Sequence, residues 1–340
     1  MIDLNTTWFA LIGVLITGYA ILDGFDLGVG VLHLFARGDM ERRINMNAIG
    51  PVWDGNEVWL LTAGGVLFAA FPTVYATVFS GFYLALMLLL AALIFRAVSL
   101  EFRSKVDSPG WRKLWDWSFG LGSLLPAILF GVAVGNILRG VPIDADGTYL
   151  GSFIGLLNPY SIAVGVLSLV MFVMHGALYM TLKTDGELRD RMSRWASGAW
   201  VAFIVIYFLA TMYTFFEAPY LLEGNLSSPL FWIFLLVLLA SVVYLPMALK
   251  ARQYFRAFLS SSLTILSIIG IAAVSLYPRM APSTVNLTYS LTIYNASSTP
   301  RTLTAMLVIA LIGMPVVIAY TWYIYRLFKG KTVITKESHY

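Results

Sequence analysis

Runs of about 20 or more mostly apolar residues, bounded by charges or by Pro, Gly and Asn, recur along the whole chain, and each is long enough to cross a bilayer as a helix. Nine such runs occur, over residues 8–34, 50–71, 75–101, 116–138, 159–182, 195–216, 229–249, 256–277 and 303–327. The stretch from Val58 to Val98 would overshoot any bilayer as one helix, so Pro72, in Phe71-Pro72-Thr73, is its predicted break. The first run lacks a basic leader and a small-residue cleavage site and is expected to stay in the mature chain. The predicted fold is therefore an all-α, polytopic membrane protein of nine transmembrane helices, read as one integral unit over residues 1–340. Eight helices plus one suggest two four-helix bundles and an extra span, although no sequence repeat supports the division.

Composition agrees with this pattern. Of 340 residues, 59% are hydrophobic and 12% charged, and the mean hydropathy of +0.80 excludes a soluble domain. The net charge of +4 is too small to suggest nucleic acid as a partner. With no Cys there is no disulfide, no thiolate-held metal and no cysteine nucleophile, and three His leave little room for haem or metal ligation.

The distribution of the basic residues matters more than their number. All but four of the 22 Lys and Arg fall in the connections after the first, third, fifth, seventh and ninth runs, Lys336 in the tail among them. Arg139, Arg279 and Arg301 fall on the other side, and Arg96 lies within a run. The positive-inside rule then predicts an N-terminus outside, in the periplasm, and a cytoplasmic C-terminus. The longest outside connection, Pro278 to Pro300, is rich in Ser, Thr and Asn and reads as an ordered loop over the outer face.

An ionisable group inside a span costs at least a few kcal/mol, so each needs a partner, a cavity or a purpose. Five lie in the first three runs: Asp23 and Asp26, Asp54 and Glu57, and Arg96. Counting down from Trp8 puts Asp23 and Asp26 roughly 22 to 27 Å deep, in the cytoplasmic third. Asp54 and Glu57 occupy the first two turns of the second helix, and Arg96 lies about one and a half turns inside the end of the third, so all five are expected at similar depth. Each acidic pair has i, i+3 spacing and shares a helix face. Four acids around one Arg leave excess negative charge in low dielectric, and the remedy is for one or more carboxyls to hold a proton. Such a cluster could relay protons from the cytoplasm. The plainer alternative is a structural ion pair between Arg96 and one Asp, with the other acids capping helices, as Asp54 would for the second.

Other candidates carry less. Trp53 and Trp59 read as interface anchors. His175 lacks a second axial ligand at matching depth, which argues against haem between this chain's own helices. His33 falls at the end of the first helix and His339 in the tail, while Asp116, Glu101, Asn136 and Glu217 are expected to face water or loops.

The motifs Asp23-Gly24-Phe25-Asp26-Leu27-Gly28-Val29-Gly30, Glu41-Arg42-Arg43 and Pro51-Val52-Trp53-Asp54-Gly55-Asn56-Glu57-Val58-Trp59-Leu60 occur together with Trp115-Asp116-Trp117 and Gly135-Asn136-Ile137-Leu138-Arg139-Gly140-Val141-Pro142. In that combination the chain closely resembles subunit II of the cytochrome bd-type quinol oxidases over nearly its whole length. The resemblance implies a heterodimer of two similarly folded subunits, each of two four-helix bundles and a peripheral ninth helix, in the bacterial cytoplasmic (inner) membrane. It implies that haem b and haem d, or a b-type variant of the latter, reside in the partner subunit I. That partner also carries the loop that oxidises quinol, with oxygen as the terminal acceptor.

Subunit II is then a haem-free scaffold that stabilises subunit I and contributes a cytoplasmic proton route, at Asp26, Trp53, Asp54 and Arg96 by motif. Some members hold a structural quinone in this subunit, and small accessory transmembrane subunits and membrane lipid complete the expected surroundings. His175 falls where some members have Gln, and the short stretch from Glu217 to Pro229 resembles the compact members described as cyanide-insensitive. Two rivals remain open: a proton-coupled secondary transporter with helix breaks at Pro126, Pro246 and Pro315, and a purely structural assembly subunit.

Overall fold

The first helix determines how the others are arranged. In the computed structural model, which describes residues 3–223 and 225–334, α1 spans Leu4–His33 and is capped by the Asp3 carboxylate, which accepts from the Asn5 amide at 3.0 Å. Lys336 and His339 lie outside the described residues. Every residue of α1 from Asp23 to His33 is buried, so this end of the helix is surrounded by protein on all sides and is apolar all round apart from its ionisable groups.

The remaining helices are α2 (Gly38–Ile49), α3 (Trp53–Ala70), α4 (Pro72–Gly81), α5 (Tyr83–Phe102), α6 (Pro109–Arg139), α7 (Pro159–Lys183), α8 (Gly186–Glu217), α9 (Pro229–Lys250), α10 (Tyr254–Leu276) and α11 (Pro300–Leu327). α1 packs against α3, α6, α7 and α10, and consecutive helices pair as α5 with α6, α6 with α7, α7 with α8 and α9 with α10. α11 lies outside this set, against α1 and α3.

Among the described residues, eight helices are long and apolar enough to cross a membrane: α1 and α5 to α11. The second expected span corresponds to α3, 18 residues that include Asp54 and Glu57, and falls outside that set. The expected helix over 75–101 is two helices, with a break at Phe82 (φ −99°, ψ 12°). The cause is anchoring of α4 to the loop between α6 and α7. Thr77 donates to the Gly147 carbonyl at 2.7 Å, Gly81 lies so close to the Tyr149 ring that a Cβ would not fit, and Phe82 is buried among the loop residues. α4 therefore follows the loop, and α5 starts afresh toward the opposite end. α6 and α8 run past their predicted apolar limits into polar first turns. Pro126, Pro246 and Pro315 lie within continuous helices and interrupt none of them, contrary to the broken helices that the transporter reading expected.

The connection from Pro278 to Pro300 is ordered, as its composition suggests. Its strands β1 (Arg279–Ala281) and β2 (Leu291–Thr292) pair antiparallel, and Val141 bridges to Ser283. Phe71, Ile143, Ile293 and Leu303 fill a core beneath this cap, and the Trp8 indole donates to the Leu303 carbonyl at 3.0 Å.

α1 and α7 cross closely where Gly28 and Gly176 face each other, and a Cβ on either would overlap the other helix's backbone. A Gly28→Val variant should lose about 1–3 kcal/mol or more through overpacking. The check is a lowered melting temperature and yield of the purified assembly.

Candidate functional site

Asp23 and Asp26 leave α1 one turn apart, and α5 brings Arg96 to the first of them. The guanidinium grips Asp23 with both forks: Nη1 donates to Oδ2 at 3.0 Å and Nη2 to Oδ1 at 2.5 Å. Neither side chain has any solvent exposure. A bidentate pair of this kind is geometrically specific and satisfies both charges. The nearby guanidinium is thereby committed to Asp23.

Asp26, equally buried, has no cation within ion-pair distance among the described residues. Its Oδ2 accepts from the Asn56 amide nitrogen of α3 at 2.7 Å, and that nitrogen also donates to the Leu22 carbonyl at 3.1 Å. The Asn56 oxygen accepts from the Tyr325 hydroxyl of α11 at 2.8 Å. Because the Leu22 carbonyl can only accept, the amide is held with its NH2 toward α1 and Asp26 and its oxygen toward the Tyr325 hydroxyl. The other carboxyl oxygen of Asp26 is buried and has no hydrogen-bond partner. A proton on Asp26 would therefore sit on Oδ1, since Oδ2 is occupied as an acceptor.

The structure thus brings together Asp23, Asp26 and Arg96, with Glu57 of α3 near them but not bonded to them and Asp54 apart. Asp54 is exposed and Glu57 half-buried. The face of α3 that meets α1 is the one with Asn56 and, one turn on, Trp59, whose ring lies over Gly18. Asp54 lies roughly 200° around the helix from Asn56 and points away from α1. Val52 is the N-cap of α3, with no side-chain cap, so Asp54 does not cap the helix. Glu57 remains within electrostatic reach of Arg96, Asp23 and Asp54. Trp53 is half-buried against the core cluster of Phe25, Val52 and Tyr179.

His175 fits haem poorly. Its Nε2 lies 3.0 Å from the Ile21 carbonyl, to which it must donate, its Nδ1 lies 2.6 Å from the Ser261 hydroxyl, and its ring stacks on Phe258 at 4.6 Å. Both nitrogens are thus engaged by protein oxygens. Among the described residues no group of three or more His, Asp or Glu could hold a metal ion.

Residues expected at the surface instead form a second polar cluster at the C-terminal end of α1, two turns beyond Asp26. Asp116, expected to be solvated, is 5% exposed. Its Oδ1 accepts from Arg103 Nε at 2.5 Å and lies 2.9 Å from His33 Nε2, and its Oδ2 accepts from Arg42 at 2.9 Å. Arg103 also donates to Asp39 at 2.6 Å, so one aspartate ties together α1, α2, the end of α5 and α6. Asn136 is likewise buried, donating to the Val132 and Leu156 carbonyls and accepting from Asn158. Glu217 accepts from Arg139 at 2.9 Å. Asn56 and Tyr325 had no signal in the sequence beyond their polarity, because neither carries a charge that demands an explanation.

The family model described as cytochrome bd terminal oxidase subunit II matches residues 4–328. The cytochrome bd-I ubiquinol oxidase subunit 2 of Escherichia coli (strain K12) is 39% identical over 374 residues, covering 99% of this chain and 98% of that protein. The cytochrome bd ubiquinol oxidase subunit 2 of Bacillus subtilis (strain 168) is 36% identical over 339 residues, covering 99% of each. In fold, the chain resembles a chain of the solved bd oxidase from Geobacillus thermodenitrificans, with a TM-score of 0.77 over 96% of this chain and 99% of that one, at 19% identity. With a matching family model and full-length relatives well above 30% identity, this chain belongs to the cytochrome bd terminal oxidase subunit II family.

Proposed function

We propose that this chain is the haem-free second subunit of a bacterial quinol:oxygen oxidoreductase, and that Asp26 carries protons from the cytoplasmic side toward the oxygen site of the haem-bearing subunit. Membership of the family makes the chain a subunit of an oxidoreductase complex with a subunit I partner. In this reading α3 is the ninth span, α1, α3, α5 and α6 form one four-helix bundle, α7 to α10 form the other, and α11 is peripheral. The N-terminus faces the periplasm and the Arg-rich connections face the cytoplasm of a bacterial inner membrane. Haem b and haem d, or its b-type variant, supply the electron transfer and oxygen chemistry in subunit I. A structural quinone and small accessory subunits belong to the same picture of the assembly.

One observation carries the proton role: a fully buried carboxyl with no cation beside it and one oxygen free of any hydrogen-bond partner. An ionised carboxylate there pays a desolvation penalty that Arg96, committed to Asp23, offsets only in part, whereas a proton that comes and goes removes it. Asp54 and Glu57, exposed and half-buried on α3, extend the route toward the partner subunit, and Trp53 flanks them. Asp23 and Arg96 keep their charges paired and hold α1 against α5 beside the carrier. Quinol protons leave on the outer side while water formation consumes protons from the cytoplasm, so the turnover separates charge without a pump.

The scaffold reading has its own support in the Asp23–Arg96 pair and the Asp116 cluster, which look structural, and haem content separates the two roles. Asp26→Asn in the assembled complex is expected to retain normal haem content while quinol-driven oxygen consumption falls about tenfold or more and proton uptake slows to match. Unchanged turnover with normal haem would overturn the carrier role, and loss of haem would favour the scaffold.

Tyr325→Phe removes the donor to the Asn56 oxygen and so loosens the amide that donates to Asp26. Turnover is then expected to fall severalfold with a displaced pH profile and intact haem, and an unchanged profile would show that the orientation of the amide is immaterial.

A further inference from the structure

At the end of the molecule that carries the Arg-rich connections, α1, α7 and α8 part to leave an open groove of about 630 Å³, within the range of about 300–1,000 Å³ usual for small-molecule sites. On α8 the residues lining it form one stripe, Arg191, Arg194, Trp195, Gly198 and Ala202, which runs from the polar end into the apolar span over roughly 16 Å. Opposite this stripe stand Val170 and Val173 of α7. Nothing lies within 4 Å of the point where a Cβ on Gly198 would stand, so the middle of the groove is open and apolar.

Its polar end is closed by Arg37, Arg191 and Arg194. Their carboxylate neighbours among the described residues are few. Arg191 is committed to Glu41, whose carboxyl also accepts from the Arg37 backbone amide. Burial raises the Glu41 carboxyl, but these hydrogen bonds outweigh it and hold the group below its ordinary range, so it stays ionised and neutralises Arg191. The Arg37 guanidinium lies 3.8 Å from Glu187, with both side chains largely exposed, a pairing of little strength. Arg194 has no carboxylate within ion-pair distance among the described residues. Beside them the Phe35 and Trp195 rings, 5.2 Å apart and exposed, have the amphipathic character of residues at headgroup level.

We propose that this groove binds one anionic phospholipid, its phosphodiester between Arg37 and Arg194 and one acyl chain along Val170, Val173, Gly198 and Ala202. An apolar channel ending in under-neutralised guanidiniums matches an amphiphile with a net negative head. A zwitterionic lipid brings an ammonium that those guanidiniums repel, and a quinone brings no charge for them to bind. The inference stands on this geometry alone and does not depend on the proton-carrying role of Asp26.

The test is native mass spectrometry of the purified, delipidated complex, titrated with phosphatidylglycerol or phosphatidylethanolamine of identical chains. The wild-type complex is expected to retain one phosphatidylglycerol in preference to phosphatidylethanolamine. The double variant Arg37→Gln/Arg194→Gln should weaken that binding about tenfold or more. Gly198→Leu, whose Cβ has no protein atom within 4 Å, projects into the open groove and should displace the lipid while the complex stays assembled. If the double variant does not assemble, Gly198→Leu decides. Equal retention of the two lipids by the wild type, or phosphatidylglycerol retention unchanged by Gly198→Leu, would overturn the proposal, as would a quinone or a segment of the partner subunit found in the groove.

Discussion

An arginine and an aspartate with no solvent exposure hold each other between α1 and α5, and much of the molecule's polar interior follows from that pair. Burying either charge alone would cost several kcal/mol, so the helices that carry them can approach only together and only with the forks aligned. Once aligned, the pair is electrically closed. Asp26, one turn along α1, is left to find its stabilisation from neutral groups, and this is why an amide and a phenol stand where a second cation would otherwise be needed.

The two polar clusters along α1 differ in kind. At Asp116 both carboxylate oxygens are engaged, by Arg103, Arg42 and His33, and the result is a rigid fastening of four chain segments. At Asp26 one oxygen is engaged and the other is not. A satisfied network resists change, whereas a half-satisfied one can gain or lose a proton without dismantling a salt bridge. The helix therefore combines a fastened end with a half-satisfied carboxyl two turns away, and Gly28 lies between them where α1 and α7 cross backbone to backbone.

How much of this was legible in the sequence depended on charge. Asp23, Asp26 and Arg96 were recognisable because an ionisable residue in an apolar run needs a reason, and helix depth alone placed them together. The same depth argument is blind to azimuth: it set Asp54 level with them, yet α3 turns Asn56 toward α1 and Asp54 outward. Asn56 and Tyr325 escaped because neutral polar residues raise no alarm in an apolar pattern, and their 269-residue separation is bridged only by the packing of α11 on α3. The split of α4 from α5 was hidden for a related reason. The residues that bend the chain at Phe82 are Tyr149 and Gly147 in a distant loop, which no local period can reveal. Asp116 looked like a helix-end residue open to water because the basic residues that enclose it come from three other segments.

The position of Tyr325 also bears on how the chain is made. A polytopic chain is synthesised from its N-terminus, and α11 leaves the ribosome after α1 to α10. The earlier helices can pair as they emerge, since α5 with α6, α6 with α7, α7 with α8 and α9 with α10 are neighbours in sequence. The Leu22 carbonyl of α1 orients the Asn56 amide from one side, but the amide oxygen has no donor until α11 docks against α1 and α3 and supplies the phenol. The site around Asp26 is thus completed only after α11 has arrived, together with the core beneath the cap, to which the same helix contributes Leu303.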